Sequence, residues 1–143
     1  MKRSVGIIPV KVVNGELQFF VGHPGGCKRE YWAYMKGGIE RDEYEKDTAL
    51  REFKEESGVD LSDRMFDLVW LGFVKQNPKK MVGAFYVFVD DIDPKKCFSN
   101  LIADGVTPEI DRYKWMSYEE LVPLTNKTHI PFYDKIIEDY KSK

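Results

Sequence analysis

The chain of 143 residues has little of what marks a disulfide-rich, zinc-binding or membrane-spanning protein. Its only two cysteines, Cys27 and Cys97, are too few for a disulfide framework and lack the spacing of a zinc site. No apolar run approaches the roughly 20 residues of a membrane-spanning helix, and the N-terminal segment has no apolar core with a cleavage site. We therefore expect a cytoplasmic protein with reduced thiols and no membrane partner.

An excess of charge of one sign is also lacking. The 22 basic and 24 acidic residues give a net charge of −2, which does not favour a protein that coats nucleic acid. The 43% hydrophobic and 14% aromatic content excludes a disordered chain. There is no repeat, low-complexity tract or linker, so we expect residues 1–143 to form a single domain.

Apolar and β-branched runs alternate with turn signals along most of the chain. They predict strands at residues 5–13, 17–22, 31–35, 68–75, 81–89 and 112–116. Capping signals and amphipathic periodicity predict helices at residues 47–57, from Ser117 onward, and at residues 130–140. Residues 23–30, 36–38 and 93–109 are predicted to be loops. This order predicts an α/β fold in which helices flank a mixed sheet.

The segment "REFKEESG" places three carboxylates on one side of a predicted helix. At about 100° per residue, Glu52, Glu55 and Glu56 share one arc, whereas Ala49 and Phe53 lie opposite and can pack on a sheet. Like charges one turn apart repel by a few tenths of a kcal/mol. The arc is therefore either a solvated acidic face or an oxygen-rich site for Mg²⁺ or Mn²⁺.

The wider spacing favours the cation site. The stretch "GGIERDEYEKDTALREFKEESGV" fits the pattern G-x5-E-x7-R-E-U-x-E-E-x-G-U, in which U is an apolar residue. Seven fixed identities coincide by chance on the order of once in 10⁸ placements. The pattern is the motif of the Nudix hydrolases, so the chain resembles that superfamily. The matching positions are Gly37, Glu43, Arg51, Glu52, Phe53, Glu55, Glu56, Gly58 and Val59.

The resemblance implies an α/β/α sandwich in which the motif forms a loop, a helix and a second loop. Members cleave a diphosphate bond in a nucleoside diphosphate linked to another group, and they use a divalent metal. Carried over to this chain, Glu52, Glu55 and Glu56 would hold Mg²⁺, or Mn²⁺, with the carbonyl oxygen of Gly37. Glu55 would share metal binding with proton transfer.

Arg51, paired with Glu43, would hold the loop on the helix and belongs to the catalytic set with Glu52 and Glu55. The segment "YWAYMKGG" resembles the family's W-x-x-P-K-G, although Met35 replaces the usual proline. Asp42 likewise stands where glycine is usual before the motif's first glutamate.

Lys36 within that segment is predicted to contact a phosphate; the alternative is an ordinary surface lysine. Three further segments, "FFVGHPGG", "VTPEIDRYKWMSYEEL" and "IPFYDKIIEDY", resemble a branch of predicted nucleoside-triphosphate pyrophosphohydrolases. Dinucleoside polyphosphate hydrolases carry a glutamate just before a strand that ends in tryptophan. Glu109, ahead of Trp115, is therefore a candidate metal ligand or base, or else a plain loop carboxylate.

Three other residues are candidates for contact with the substrate. His23 lies in the predicted glycine-rich loop. It is predicted to contact a ligand, and the alternative is a structural histidine. Tyr34 and Tyr86 could stack on a nucleobase, and the alternative for both is core packing.

These residues predict an enzyme that hydrolyses a phosphoanhydride bond in a nucleotide derivative, such as a dinucleoside polyphosphate or a nucleoside triphosphate. One alternative acts on the 5′ end of RNA, which the slightly acidic charge balance opposes weakly. Another is a nucleotide-binding domain without catalysis, which the complete carboxylate set opposes. The sequence predicts neither the exact substrate nor the oligomeric state.

Overall fold

A computed structural model describes residues 1–143 as a six-stranded sheet with helices on both faces. The strands are β1 (Lys2–Val13), β2 (Glu16–Pro24), β3 (Met35–Gly38), β4 (Val69–Asn77), β5 (Lys80–Phe88) and β6 (Ile110–Ser117). The helices are α1 (Glu45–Ser57), α2 (Tyr118–Leu121) and α3 (Ile130–Lys141), with 3₁₀ turns at Ser62–Asp67, Pro94–Lys96, Val122–Leu124 and Lys127–His129. None of the helices is both long enough and apolar enough to span a bilayer.

The strand order is β4-β5-β1-β2-β6, and β3 pairs with the N-terminal part of β1. The pair β1 and β5 is parallel, and every other pair is antiparallel. Strand β1 is central and buried on both faces, since Val5 and Ile7 belong to one core cluster and Ile8 and Val10 to the other. The predicted mixed sheet is confirmed.

Each face of the sheet carries its own helical layer. Ala49 and Phe53 of α1 pack against the cluster that contains Val5 and Ile7. Leu121 of α2 and three residues of α3 pack on the opposite cluster; the α3 residues are Phe132, Tyr133 and Ile136. Full burial of one such side chain stabilises the fold by about 1.5–3 kcal/mol. The result is the expected α/β/α sandwich.

Helix α1 begins two residues earlier than the pattern predicts. The backbone N–H of Tyr44 donates to the Asp47 side chain over 3.0 Å, which caps the first turn at the positive end of the helix dipole. The helix ends at Gly58, whose φ of 78° is the left-handed conformation of a helix terminus and whose N–H donates to the Lys54 carbonyl. The apolar side predicted for this helix is the side that packs.

The predicted loop at residues 36–38 is wrong. These residues belong to β3, which pairs antiparallel with residues 4–7 of β1. The strand predicted at residues 31–35 is wrong except at Met35, because Ala33 makes only an isolated bridge with Gly22. Strand β2 also runs through His23, which was predicted to lie in a loop. Pairing with a distant strand makes strands of residues 36–38 and His23, and the lack of such pairing leaves residues 31–34 irregular despite their local preference.

Candidate active site

Arg51 ties the loop before α1 to the helix itself. Its Nε and Nη2 donate to the two carboxylate oxygens of Glu43 over 2.7 and 2.9 Å, and Nη2 also donates to the Gly38 carbonyl over 3.0 Å. Glu43 accepts a further hydrogen bond from the Thr48 hydroxyl over 2.8 Å. The guanidinium lowers the pKa of Glu43 to about 2. The predicted pair of Arg51 and Glu43 is therefore present, and it is bidentate.

The same guanidinium orients two of the helix carboxylates. Nη1 of Arg51 donates to Glu52 over 2.7 Å and lies 3.3 Å from a carboxylate oxygen of Glu55. Glu52 is largely buried, whereas the Glu55 side chain is 39% exposed. Arg51 thus holds the carboxylate of Glu52 directly and lies beside that of Glu55.

Three carboxylates meet beside α1. Glu52, Glu56 and Glu109 each place a carboxylate oxygen within 4.8 Å of the other two. Glu55, the other predicted ligand from the helix, is not in this group. Glu109 lies far from α1 in sequence, and the loop of residues 93–109 brings it there.

Glu56 is the most constrained member of this cluster. It is only 5% exposed, and its Oε2 has no hydrogen-bond partner. Burial raises the pKa of Glu56 well above the usual range, and the neighbouring Glu52 and then Glu109 raise it further. Lys36 acts in the opposite direction on this carboxyl. Burial also lowers the pKa of Lys36 to about 8.

This donor set fits a hard divalent cation. A buried carboxylate oxygen without a partner is unfavourable, and like charges around it add to the cost. Mg²⁺ and Mn²⁺ prefer carboxylate and carbonyl oxygens, so a cation would relieve both effects. Gly37 shapes the same site, because a Cβ at that position would overlap the Glu52 carboxylate.

Tyr113, which the sequence patterns did not single out, supports the end of α1. Its hydroxyl donates to the main-chain carbonyl of Glu56, and its ring stacks on Phe20 with centroids 6.0 Å apart. The signal available in the sequence was alternation, since Tyr113 and Trp115 share one face of β6.

The predicted substrate contacts His23, Tyr34 and Tyr86 are buried. Stacking requires an open ring face, but Tyr34 and Tyr86 are 2% and 4% exposed. Their hydroxyls donate to the Gly83 carbonyl and to the Asp139 carboxylate, each over 3.0 Å. His23 is 1% exposed and is bonded at both ring nitrogens. All three positions match the packing alternative rather than substrate contact.

Comparison with known proteins agrees with this geometry. A family model described as the NUDIX domain matches residues 2–140. An RNA pyrophosphohydrolase of Nitratiruptor is 28% identical over 136 residues, which cover 90% of this chain and 84% of that protein. The m7GpppN-mRNA hydrolase of Saccharomyces cerevisiae is 28% identical over 108 residues, which cover 76% of this chain but 10% of that protein.

Solved structures share the fold at low identity. An Ap4A hydrolase of C. elegans in a binary complex matches with a TM-score of 0.71 and 16% identity, over 99% of this chain and 98% of that one. The NUDIX domain of Shewanella oneidensis NrtR, complexed with ADP ribose, matches with a TM-score of 0.65 and 14% identity, over 98% of this chain and 86% of that one. The chain therefore belongs to the NUDIX domain family, as a hydrolase that acts on pyrophosphate bonds.

Proposed function

We propose that the protein hydrolyses a phosphoanhydride bond in a nucleotide derivative with Mg²⁺, or Mn²⁺, held by Glu52, Glu56 and Glu109. The observation that carries this proposal is the buried, unpartnered oxygen of Glu56 at the meeting point of three carboxylates. A cation bound there would neutralise negative charge on the diphosphate and would favour deprotonation of the attacking water.

The chain's own groups have separate tasks in this proposal. Arg51 keeps Glu52 in place through its 2.7 Å bond, and Gly37 leaves room for that carboxylate. By the family resemblance, the carbonyl oxygen of Gly37 would be a further ligand. Glu55 is more exposed than Glu52 and Glu56, and its side chain has only long contacts to Arg51, at 3.3 and 3.4 Å. That position suits the transfer of the proton from water.

Lys36 is the positively charged side chain that we assign to contact with a phosphate oxygen of the substrate. It lies close enough to Glu56 for each charge to influence the pKa of the other. An ammonium group that is partly removed from water binds an anion more strongly than a fully solvated one.

A dinucleoside polyphosphate or a nucleoside triphosphate is the first substrate class. It agrees with the Ap4A hydrolase of C. elegans, whose chain is matched over almost its whole length. The 5′ end of RNA is the second class, and the relative named RNA pyrophosphohydrolase favours it. Both classes present a polyphosphate on a 5′ oxygen, so the same carboxylates serve either one.

A substrate panel tests the proposal and separates the two classes. Diadenosine tetraphosphate, ATP and a 5′-triphosphorylated RNA oligonucleotide are incubated with Mg²⁺ or Mn²⁺, and the products are resolved by chromatography. Hydrolysis in ¹⁸O-labelled water identifies the phosphorus that is attacked. The Glu56→Gln variant is the matched inactive control. If the folded, metal-loaded protein cleaves no phosphoanhydride in this panel, the proposal is wrong.

A further inference from the structure

The backbone of Glu109 is held from two sides. Its N–H donates to the Asn100 carbonyl over 2.8 Å, and its carbonyl accepts from the N–H of Gly25 over 2.8 Å. Asn100 in turn donates its N–H to the Glu55 carbonyl over 2.9 Å. Glu109 is thereby linked both to the C-terminal turn of α1 and to the segment that follows β2.

This second link depends on a glycine. A Cβ on Gly25 would overlap the carbonyl oxygen of Pro108, so only glycine allows the two backbones to approach this closely. The next residue, Gly26, has a φ of 78°, which lets the chain turn away after the contact. The two adjacent glycines therefore have distinct roles in one contact.

His23 joins the same two segments through its side chain. Its Nδ1 lies 2.7 Å from Oδ1 of Asp111, and its Nε2 lies 2.8 Å from the Arg29 carbonyl. The edge of the ring packs on Trp32, with centroids 5.5 Å apart. The buried imidazole of His23, near the end of β2, is thus bonded both to Arg29 in the following loop and to Asp111, two residues beyond Glu109.

The segment before Glu109 has little packing of its own. Residues 100–106 are all exposed, and Leu101, Ile102 and Val106 contribute nothing to the two core clusters. The segment before Glu109 therefore has no core beneath it, whereas Ile110, immediately after Glu109, is buried in a core cluster and pairs with Pro24. The approach of Glu109 to the acidic cluster is set by that junction with β2 and by the anchors just described.

We propose that the His-Pro-Gly-Gly segment, residues 23–26 at the end of β2 and the turn after it, positions Glu109 for metal binding. The inference rests on the proposed metal site and assigns this segment no contact with substrate. His23 and Gly25 act through the backbone around Glu109, and they set how closely its carboxylate approaches Glu52 and Glu56. Groups behind a ligand commonly change metal affinity by about 10–100-fold when they are altered.

Titration calorimetry of Mn²⁺ into the metal-free protein tests this role without any substrate. Gly25→Ala should weaken Mn²⁺ binding about tenfold in the otherwise unchanged protein. In a Glu109→Gln background the same substitution should have no further effect, because the ligand it positions is gone. Gly105→Asn is the matched control, since Gly105 lies in the same exposed segment with open space around it and a φ of 71°. That variant should bind Mn²⁺ like the wild type.

Asp111→Ala provides a second route if Gly25→Ala fails to fold by circular dichroism. It removes the partner of His23 from a partly exposed position and should show the same dependence on Glu109. Equal losses of affinity with and without Glu109, or no loss in either, overturn the inference. If Glu109→Gln binds Mn²⁺ normally while Glu56→Gln does not, the inference is also overturned, although pyrophosphate hydrolysis stands.

Discussion

Among single residues, Glu56 shows the conflict between stability and chemistry most directly. Its carboxyl is buried without a partner for Oε2, beside two other acidic groups. Such an arrangement is unfavourable in a metal-free protein, which is why we assign it to catalysis rather than to the fold. Its removal should therefore affect the reaction and the stability differently.

Glu56→Gln should lower kcat/KM by about 10³-fold, because one charged ligand is lost where charge develops. The free energy of unfolding in the presence of a chelator should not fall, since the amide replaces a buried acid that has no salt bridge. Steady-state kinetics and urea denaturation measure the two quantities. Glu138→Gln, an exposed site on α3, should change neither. Near-normal turnover of Glu56→Gln at saturating Mg²⁺ would refute the assignment.

At the scale of elements, α1 was predictable and β3 was not. The helix is specified locally, by the apolar positions Ala49 and Phe53, an acidic first turn and Gly58 at its end. The glycine-rich β3 exists only because distant β1 supplies its hydrogen bonds, and no local signal reports that pairing. Glu109 could be predicted as a candidate ligand from the family resemblance. The contact of Gly25 with Glu109 joins distant parts of the chain, so no local sequence pattern could predict it.

The close packing of β3 against the Glu52 side chain of α1 gives a test with a built-in control. Gly37→Ala should weaken Mn²⁺ binding and slow turnover, each by about tenfold or more, because the added Cβ would displace the Glu52 carboxylate. Gly38→Ala adds the same atom one residue later, where the nearest atom would be Lys2 Cε at 3.9 Å. Calorimetry and kinetics on both variants should separate them. Equal behaviour of the two would show that Glu52 does not depend on this packing.

At the scale of the whole molecule, the two faces of the sheet carry different polar groups. The α1 face supplies the carboxylates, whereas the α3 face buries His129, which is fully inaccessible to solvent. Its Nε2 bonds to Oε1 of Gln76 over 2.7 Å, and its Nδ1 has no partner. Burial lowers the pKa of His129 to about 3, and the positive charges of Lys36 and Lys80 contribute in the same direction.

This histidine should make global stability depend on pH in a predictable direction. The unfolded chain takes up a proton on His129 near pH 6.5, whereas the folded protein does so only near 3. Stability present above pH 6.5 is therefore lost as the pH falls, because the unfolded state binds more protons in this window. His129→Gln cannot titrate, and its amide can still donate to Gln76. From pH 7.5 to 5.5, wild type should lose about 1.4 kcal/mol of unfolding free energy relative to this variant.

Urea denaturation at several pH values measures that difference. The raised pKa of Glu56 makes the folded protein more stable as the pH falls, which is the opposite effect. Glu56 titrates in both proteins, so its contribution cancels in the comparison. A constant offset between wild type and His129→Gln reflects packing alone and does not affect the result, because only the change of the difference with pH matters. Parallel curves across this range would show that His129 is protonated in the folded protein as readily as in the unfolded chain. A loss of wild-type stability relative to His129→Gln toward pH 5.5, whatever the offset, would instead establish a neutral, buried imidazole in the folded protein.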